Sequence, residues 1–129
     1  MNRVATNFLC VLRALCGKTP TFQKSRPLSR REKIEAMLAD DPGDTFLRYS
    51  LAMELDKEGN HDASLAKFAE LTRDDPPYVP AFFMAAQQLA RLARTDEARA
   101  ILRDGIAAAN IQNNHHAAGE MTEFLASLG

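Results

Sequence analysis

The side chains of this 129-residue chain that could hold a metal or move a proton are three histidines, two cysteines and two pairs of adjacent aspartates. His115 and His116 are neighbours, so on a helix they point to different faces, and no cysteine or close carboxylate completes a tetrahedral set with them or with His61. All three histidines are read as solvated residues at helix starts. Asp40-Asp41 and Asp74-Asp75 each stand before a proline, which marks them as helix-end and turn residues rather than an acid–base pair. There is no glycine-rich phosphate loop, no Ser-His-Asp ordering and no isolated nucleophile. The expectation is a non-enzyme with no catalytic residue, no metal and no cofactor. What remains is a pair of cations, Lys57 and Arg91, 34 residues apart.

That separation is the period of the chain. Asp40-Asp41-Pro42 returns 34 residues later as Asp74-Asp75-Pro76, and the same offset carries Leu51 onto Ala85, Gly59 onto Ala93, Ser64 onto Ala98 and Phe68 onto Leu102. A repeat of this length is the mark of stacked helical hairpins. The apolar spacing then places the helices. Ser29-Arg30-Arg31-Glu32 has the form of a capping box opening a helix over 30–39, with Ile34, Met37 and Leu38 on one face. Asp44 caps a helix to about Glu58 that stacks Leu47, Leu51 and Leu55, with Ala52 beside them. Gly59-Asn60 turns the chain into a partner helix over 62–73 carrying Leu65, Phe68 and Leu71, where small Ser64 allows close approach. The second hairpin comprises helices over 79–92 (Phe82, Ala85, Ala86, Leu89) and 96–108 (Ala98, Ile101, Leu102, Ile106), the latter capped by Thr95 or Asp96. A last helix over 114–128, with Ala118, Met121, Phe124, Leu125 and Leu128, covers the end of the stack.

These residues resemble the tetratricopeptide repeat family. Residues 45–78 match its pattern through Leu51, Ala52, Gly59, Ser64, Phe68 and Asp75-Pro76, and residues 79–112 through Phe82, Ala86 and Ala98 and the stretch 94–102. The resemblance implies an all-α fold of antiparallel helical hairpins, stacked as a short right-handed superhelix with capping helices at both ends. The chain divides into a basic leader over 1–28, read as a flexible tail from its polar, proline-interrupted residues 17–28, and a repeat domain over 29–129. Two departures stand out. Ala93 sits where the family keeps its turn glycine, and Ala108-Ala109-Asn110 sits where a third Asp-Asp-Pro would fall. Two full repeats are also fewer than the roughly three that make a stable stack, so the capping helices supply the difference or the chain forms a homodimer.

In this family the first helices of successive hairpins line a concave groove that holds a peptide or a partner helix. Carried over by spacing, the groove residues are Phe46, Tyr49, Ser50, Met53 and Lys57 from the first hairpin and Phe83, Met84, Gln87 and Arg91 from the second. Aromatics and methionines beside a cation suit adaptable recognition of an extended or helical segment. Lys57 and Arg91 alone are fewer cations than the carboxylate clamp of chaperone-binding relatives requires. The competing expectation is that Met53, Phe83 and Met84 pack against the neighbouring hairpin or the last helix.

Charge is divided along the chain. Residues 1–31 hold seven basic residues and no acidic one, whereas residues 32–129 hold nine basic and seventeen acidic. A repeat domain this acidic is a poor match for phosphates, so no nucleic-acid partner is expected for it. The leader places Val4, Phe8, Val11, Leu12 and Leu15 at the spacing of one helical face, while Arg13 and the absence of a small-residue cleavage site speak against an export signal. Membrane contact, if any, falls to residues 1–16. Both cysteines, Cys10 and Cys16, lie in the leader, so the fold needs no disulfide and a reducing, cytoplasmic setting fits. Together these point to an adaptor or scaffold whose partner is another protein. A membrane-apposed protein using its leader and a non-catalytic subunit of an enzyme complex are the alternatives.

Overall fold

The computed structural model describes residues 26–129, which form six helices and no strand. They are α1 (Arg30–Asp40), α2 (Thr45–Lys57), α3 (His61–Thr72), α4 (Val79–Arg91), α5 (Thr95–Ile111) and α6 (His115–Ser127). Each packs on the next in the chain, and α4 also touches α6. The expected features of the leader over 1–25 lie outside the described residues.

The starts of α1 and α2 are chemical. The Ser29 hydroxyl accepts from the Glu32 amide at 3.2 Å and the Glu32 carboxylate accepts from the Ser29 amide at 2.7 Å, closing the capping box. Arg26 clasps the same carboxylate with two bonds of 3.0 and 3.2 Å. This guanidinium, and after it the Ser29 amide, hold the Glu32 carboxyl down to about 2. Asp44 accepts from the Leu47 amide at 2.7 Å.

One backbone device ends α2, α4 and α5. The residue two beyond each helix end is left-handed: Gly59 at φ 84°, Ala93 at φ 62° and Asn113 at φ 60°. The next amide in each case reaches back five residues into the helix, Asn60 to the Leu55 carbonyl at 2.9 Å, Arg94 to Leu89 at 2.9 Å and Asn114 to Ala109 at 2.8 Å. This is the Schellman closure, which satisfies carbonyls that the helix end would leave bare. Ala93 thus takes the glycine's conformation at a cost of about 1–2 kcal/mol.

Two expectations are corrected at these turns. Ala108-Ala109-Asn110 is helix interior rather than an exit, because no proline interrupts a run of strong helix formers and α5 continues to Ile111. Nor do Thr95 and Asp96 cap α5: the N-cap is Arg94, without a side-chain bond to the helix, because the Ala93 turn delivers the chain already in place. A third correction concerns Met37, which is 47 % exposed while Ile34 is buried. Helix α1 packs chiefly on α2, so its contact stripe is narrow and Met37 falls outside it.

The core is three linked clusters. Ile34, Leu51 and Leu55 join α1 to α2. Ala52, Phe68, Leu71, Ala81 and Ala85 join the first hairpin to α4. The largest cluster, including Phe82, Leu89, Leu102 and Met121, unites α4, α5 and α6. Where helices come closest the residues are small. Gly105 of α5 is the extreme case, for a Cβ there would lie 2.6 Å from Phe82 Cβ and 2.7 Å from Met121 Sδ.

Candidate functional site

The first helices α2 and α4, together with α6, enclose a cavity of about 160 Å³. Tyr49 reaches it from α2, Phe83 and Met84 from α4, and Ala117, Glu120 and Met121 from α6, with Val79, Pro80 and Asn114 completing the wall. Its lining is chiefly apolar, and Glu120 is the one side chain there that carries a charge.

Each aromatic of this site is held by another. Tyr49 stands edge-on to Phe68 at 5.9 Å and to Tyr78 at 5.4 Å between ring centroids, a favoured geometry for aromatic pairs. Burial, and then the neighbouring Tyr78, raise its phenol above the ordinary value. Phe83 tilts against Phe124 of α6 at 5.7 Å. Met53 and Met84 pack partly against the cluster that joins the hairpins.

Of the nine residues expected in the groove, Tyr49, Phe83 and Met84 converge on the cavity. Gln87 and Arg91 lie on an adjoining shallow opening with Ala90, Phe124 and Leu128. Phe46 is 66 % exposed, and neither it nor Ser50, Met53 or Lys57 lines the cavity. The two cations are engaged: Lys57 bonds Glu54 at 3.2 Å within α2, and Arg91 of α4 bonds Asp56 of α2 at 2.7 Å across the hairpins.

That last bond ends a polar chain that crosses the hairpin junction. Asp56 Oδ1 lies 2.9 Å from His61 Nδ1, and Gln88 Nε2 lies 3.3 Å from the same nitrogen and 3.4 Å from the His61 carbonyl. The Ser64 hydroxyl donates to the Ala52 carbonyl at 2.7 Å and lies 3.2 Å from Gln88 Oε1. His61 is therefore a half-buried link between α2, α3 and α4, not a solvated helix start. His115 and His116 are exposed, and the described residues contain no cluster able to ligate a metal.

Sequence reasoning missed Gln88, which is only 1 % exposed. The signal was present, since Gln88 continues the buried stripe of Ala81 and Ala85 at helical spacing. A polar residue on such a stripe calls for a partner.

A solution NMR structure of a tetratricopeptide repeat domain protein from Salinibacter ruber is 34% identical, covers 68% of this chain and 89% of that one, and superposes with a TM-score of 0.64. This chain belongs to the tetratricopeptide repeat family. A crystal structure of a tetratricopeptide repeat domain protein from the same organism gives 33% identity over 66% of this chain and 94% of that one, with a TM-score of 0.59. No family model matches the chain, and no curated protein matches it. Tetratricopeptide repeats are in general protein-interaction modules. No described helix of this tetratricopeptide repeat protein is long and apolar enough to cross a membrane.

Proposed function

We propose that the chain is a non-catalytic adaptor or scaffold, acting in the cytoplasm, that binds a peptide or helix in the concave groove of α2, α4 and α6. The observation that carries this reading is the apolar cavity where Tyr49, Phe83 and Met84 meet Met121 and Glu120. It has room for one apolar side chain. Glu120 is exposed beside it, so the preferred segment carries a basic residue next to its apolar anchor. Because Arg91 is bonded to Asp56 and Lys57 to Glu54, the groove presents little free positive charge, and an acidic segment or a terminal carboxylate is a poor fit. Phe83 and Tyr49 are pre-positioned by their aromatic partners, so little side-chain freedom is lost when the groove is filled.

Selection of displayed random peptides on the full chain tests the reading, followed by amide chemical-shift mapping of an enriched peptide. Enrichment of basic–apolar peptides that shift Tyr49, Met84 and Glu120 is expected. A Met84→Lys variant with an unchanged melt should bind such a peptide at least about tenfold more weakly, the equivalent of about 1.4 kcal/mol. Peptides that shift residues elsewhere, or no enrichment at all, would overturn it.

A further inference from the structure

A second surface that the described helices leave uncovered lies on the other side of α4. At 100° per residue, Phe82, Ala85 and Leu89 of α4 stand opposite Pro80, Phe83 and Met84, the residues that face the concave cavity. They form the floor of a trough walled by α3 and α5. One part, about 300 Å³, has Leu65, Ala69 and Ile101 on its walls. The other, about 500 Å³, runs on past Pro76, Pro77 and Ala108 to Ile111, which is 81 % exposed. The two parts share Thr72, Phe82 and Asp104, so they form one continuous channel. Along its rim Arg94 is neutralised by Glu97 at 2.6 Å, while Asp75 and Asp104 form no ion pair among the described residues and Arg73 is the remaining cation.

We propose that this trough between α3 and α5 is covered by residues 3–15 of the same chain, docked as an amphipathic helix. Three observations select that occupant. Val4, Phe8, Val11, Leu12 and Leu15 make one apolar stripe, which matches an apolar floor. Residues 1–25 carry four basic side chains and no acidic one, whereas residues 26–129 carry twelve basic against seventeen acidic, a deficit of five; opposite charge favours this pairing over like charge. The length of chain available is the third. The thirteen residues 3–15 span about 20 Å as a helix, and the ten residues 16–25 reach up to about 33 Å when extended, about three helix diameters at 10 Å each. The docked segment leaves the concave groove open, so the proposal stands independently of the groove reading.

The leader supplies its own probe site. Cys10 lies on the side of the segment opposite its apolar stripe, and residues 26–129 contain no cysteine. The full chain carrying Cys16→Ser is spin-labelled at Cys10, and paramagnetic broadening of its amides is recorded at high dilution. Ala69, Ala107 and Ala108 are expected to lose most of their intensity, while Tyr49, Gln87 and Glu123 keep theirs. Adding Ile111→Asp and Asp104→Lys, both at exposed positions, should restore the signals without lowering the melting temperature. Broadening confined to the concave face, broadening that appears only when labelled and unlabelled copies are mixed at high concentration, or no broadening of the body would each overturn the proposal.

Discussion

Gly105→Ala is a strong test of the packing, because the substitution pushes stability in two directions at once. Inside a helix alanine is favoured over glycine by about 1 kcal/mol. Here, however, the added methyl carbon would lie 2.6 Å from Phe82 Cβ and 2.7 Å from Met121 Sδ, against the roughly 3.5–4 Å of an unstrained carbon contact. A Cβ cannot swing aside on a rotamer, so α4 and α5 must separate by about 1 Å, and overpacking of this kind costs typically 1–3 kcal/mol. The clash wins. A net loss of up to about 2 kcal/mol is expected, a fall of up to roughly 15 °C for a domain of this size. Gly119 of α6 is the internal control, since a Cβ there meets nothing within 4 Å; Gly119→Ala should gain up to about 1 kcal/mol. Thermal and urea melts followed by helical circular dichroism read both. A Gly105→Ala protein that melts at or above the parent would refute the close crossing of α4, α5 and α6 around that glycine.

Three further outcomes are expected. Ala93→Gly relieves a left-handed alanine and should raise stability by about 0.5–1 kcal/mol in the same melts, whereas a clear loss would mean that the turn is not as described. Gln88→Ala, which removes the amide lying between Ser64 and His61, should cost about 1–3 kcal/mol, while Gln87→Ala one position earlier should stay within about 0.5 kcal/mol; equal effects would show that the polar chain is not a linkage between hairpins. For Glu32 the folded carboxyl titrates at about 2, below the unfolded value of about 4.3, so the ionised form favours the capped helix. That contribution is complete above the unfolded value and is lost as pH falls through about 2. Ser29 and Glu32 amide shifts should follow this acid titration and be flat over the same range in Glu32→Gln.

Much of the fold was legible because its signals are local. Ser29 with Glu32, Asp44, Gly59-Asn60 and the aspartates before Pro42 and Pro76 each decide a helix end within a few residues, and those boundaries agree with the structure to within a residue or so. The α5–α6 junction was not legible for the same reason. Asn113 adopts a left-handed turn that glycine would have announced more clearly, and the alanines before it continue a helix as readily as they end one. The groove residues were chosen by helical register, which places a side chain on a face but not beside its neighbours. Register brought Tyr49, Phe83 and Met84 to one face. It could not show that α6 closes over them with Glu120 and Phe124, nor that Arg91 is committed to Asp56. Gly105 and Gln88 were visible as anomalies, a glycine in mid-helix and a polar residue on an apolar stripe, and each proved to mark a contact made by residues distant in sequence.

The largely sequential packing of the helices gives the domain a polarity of opening. Ile34 is the sole buried side chain of α1, and it packs with Leu51 and Leu55 beside half-buried Leu38, so that end can detach at the cost of one small apolar cluster and a few ion pairs. At the other end Arg99 of α5 holds the Leu128 and Gly129 carbonyls at 2.8 Å each, and Met121 is sealed in the largest cluster. Amide hydrogens of α1 therefore exchange with solvent through small excursions, while those of α4 and α5 exchange only when the whole stack comes apart.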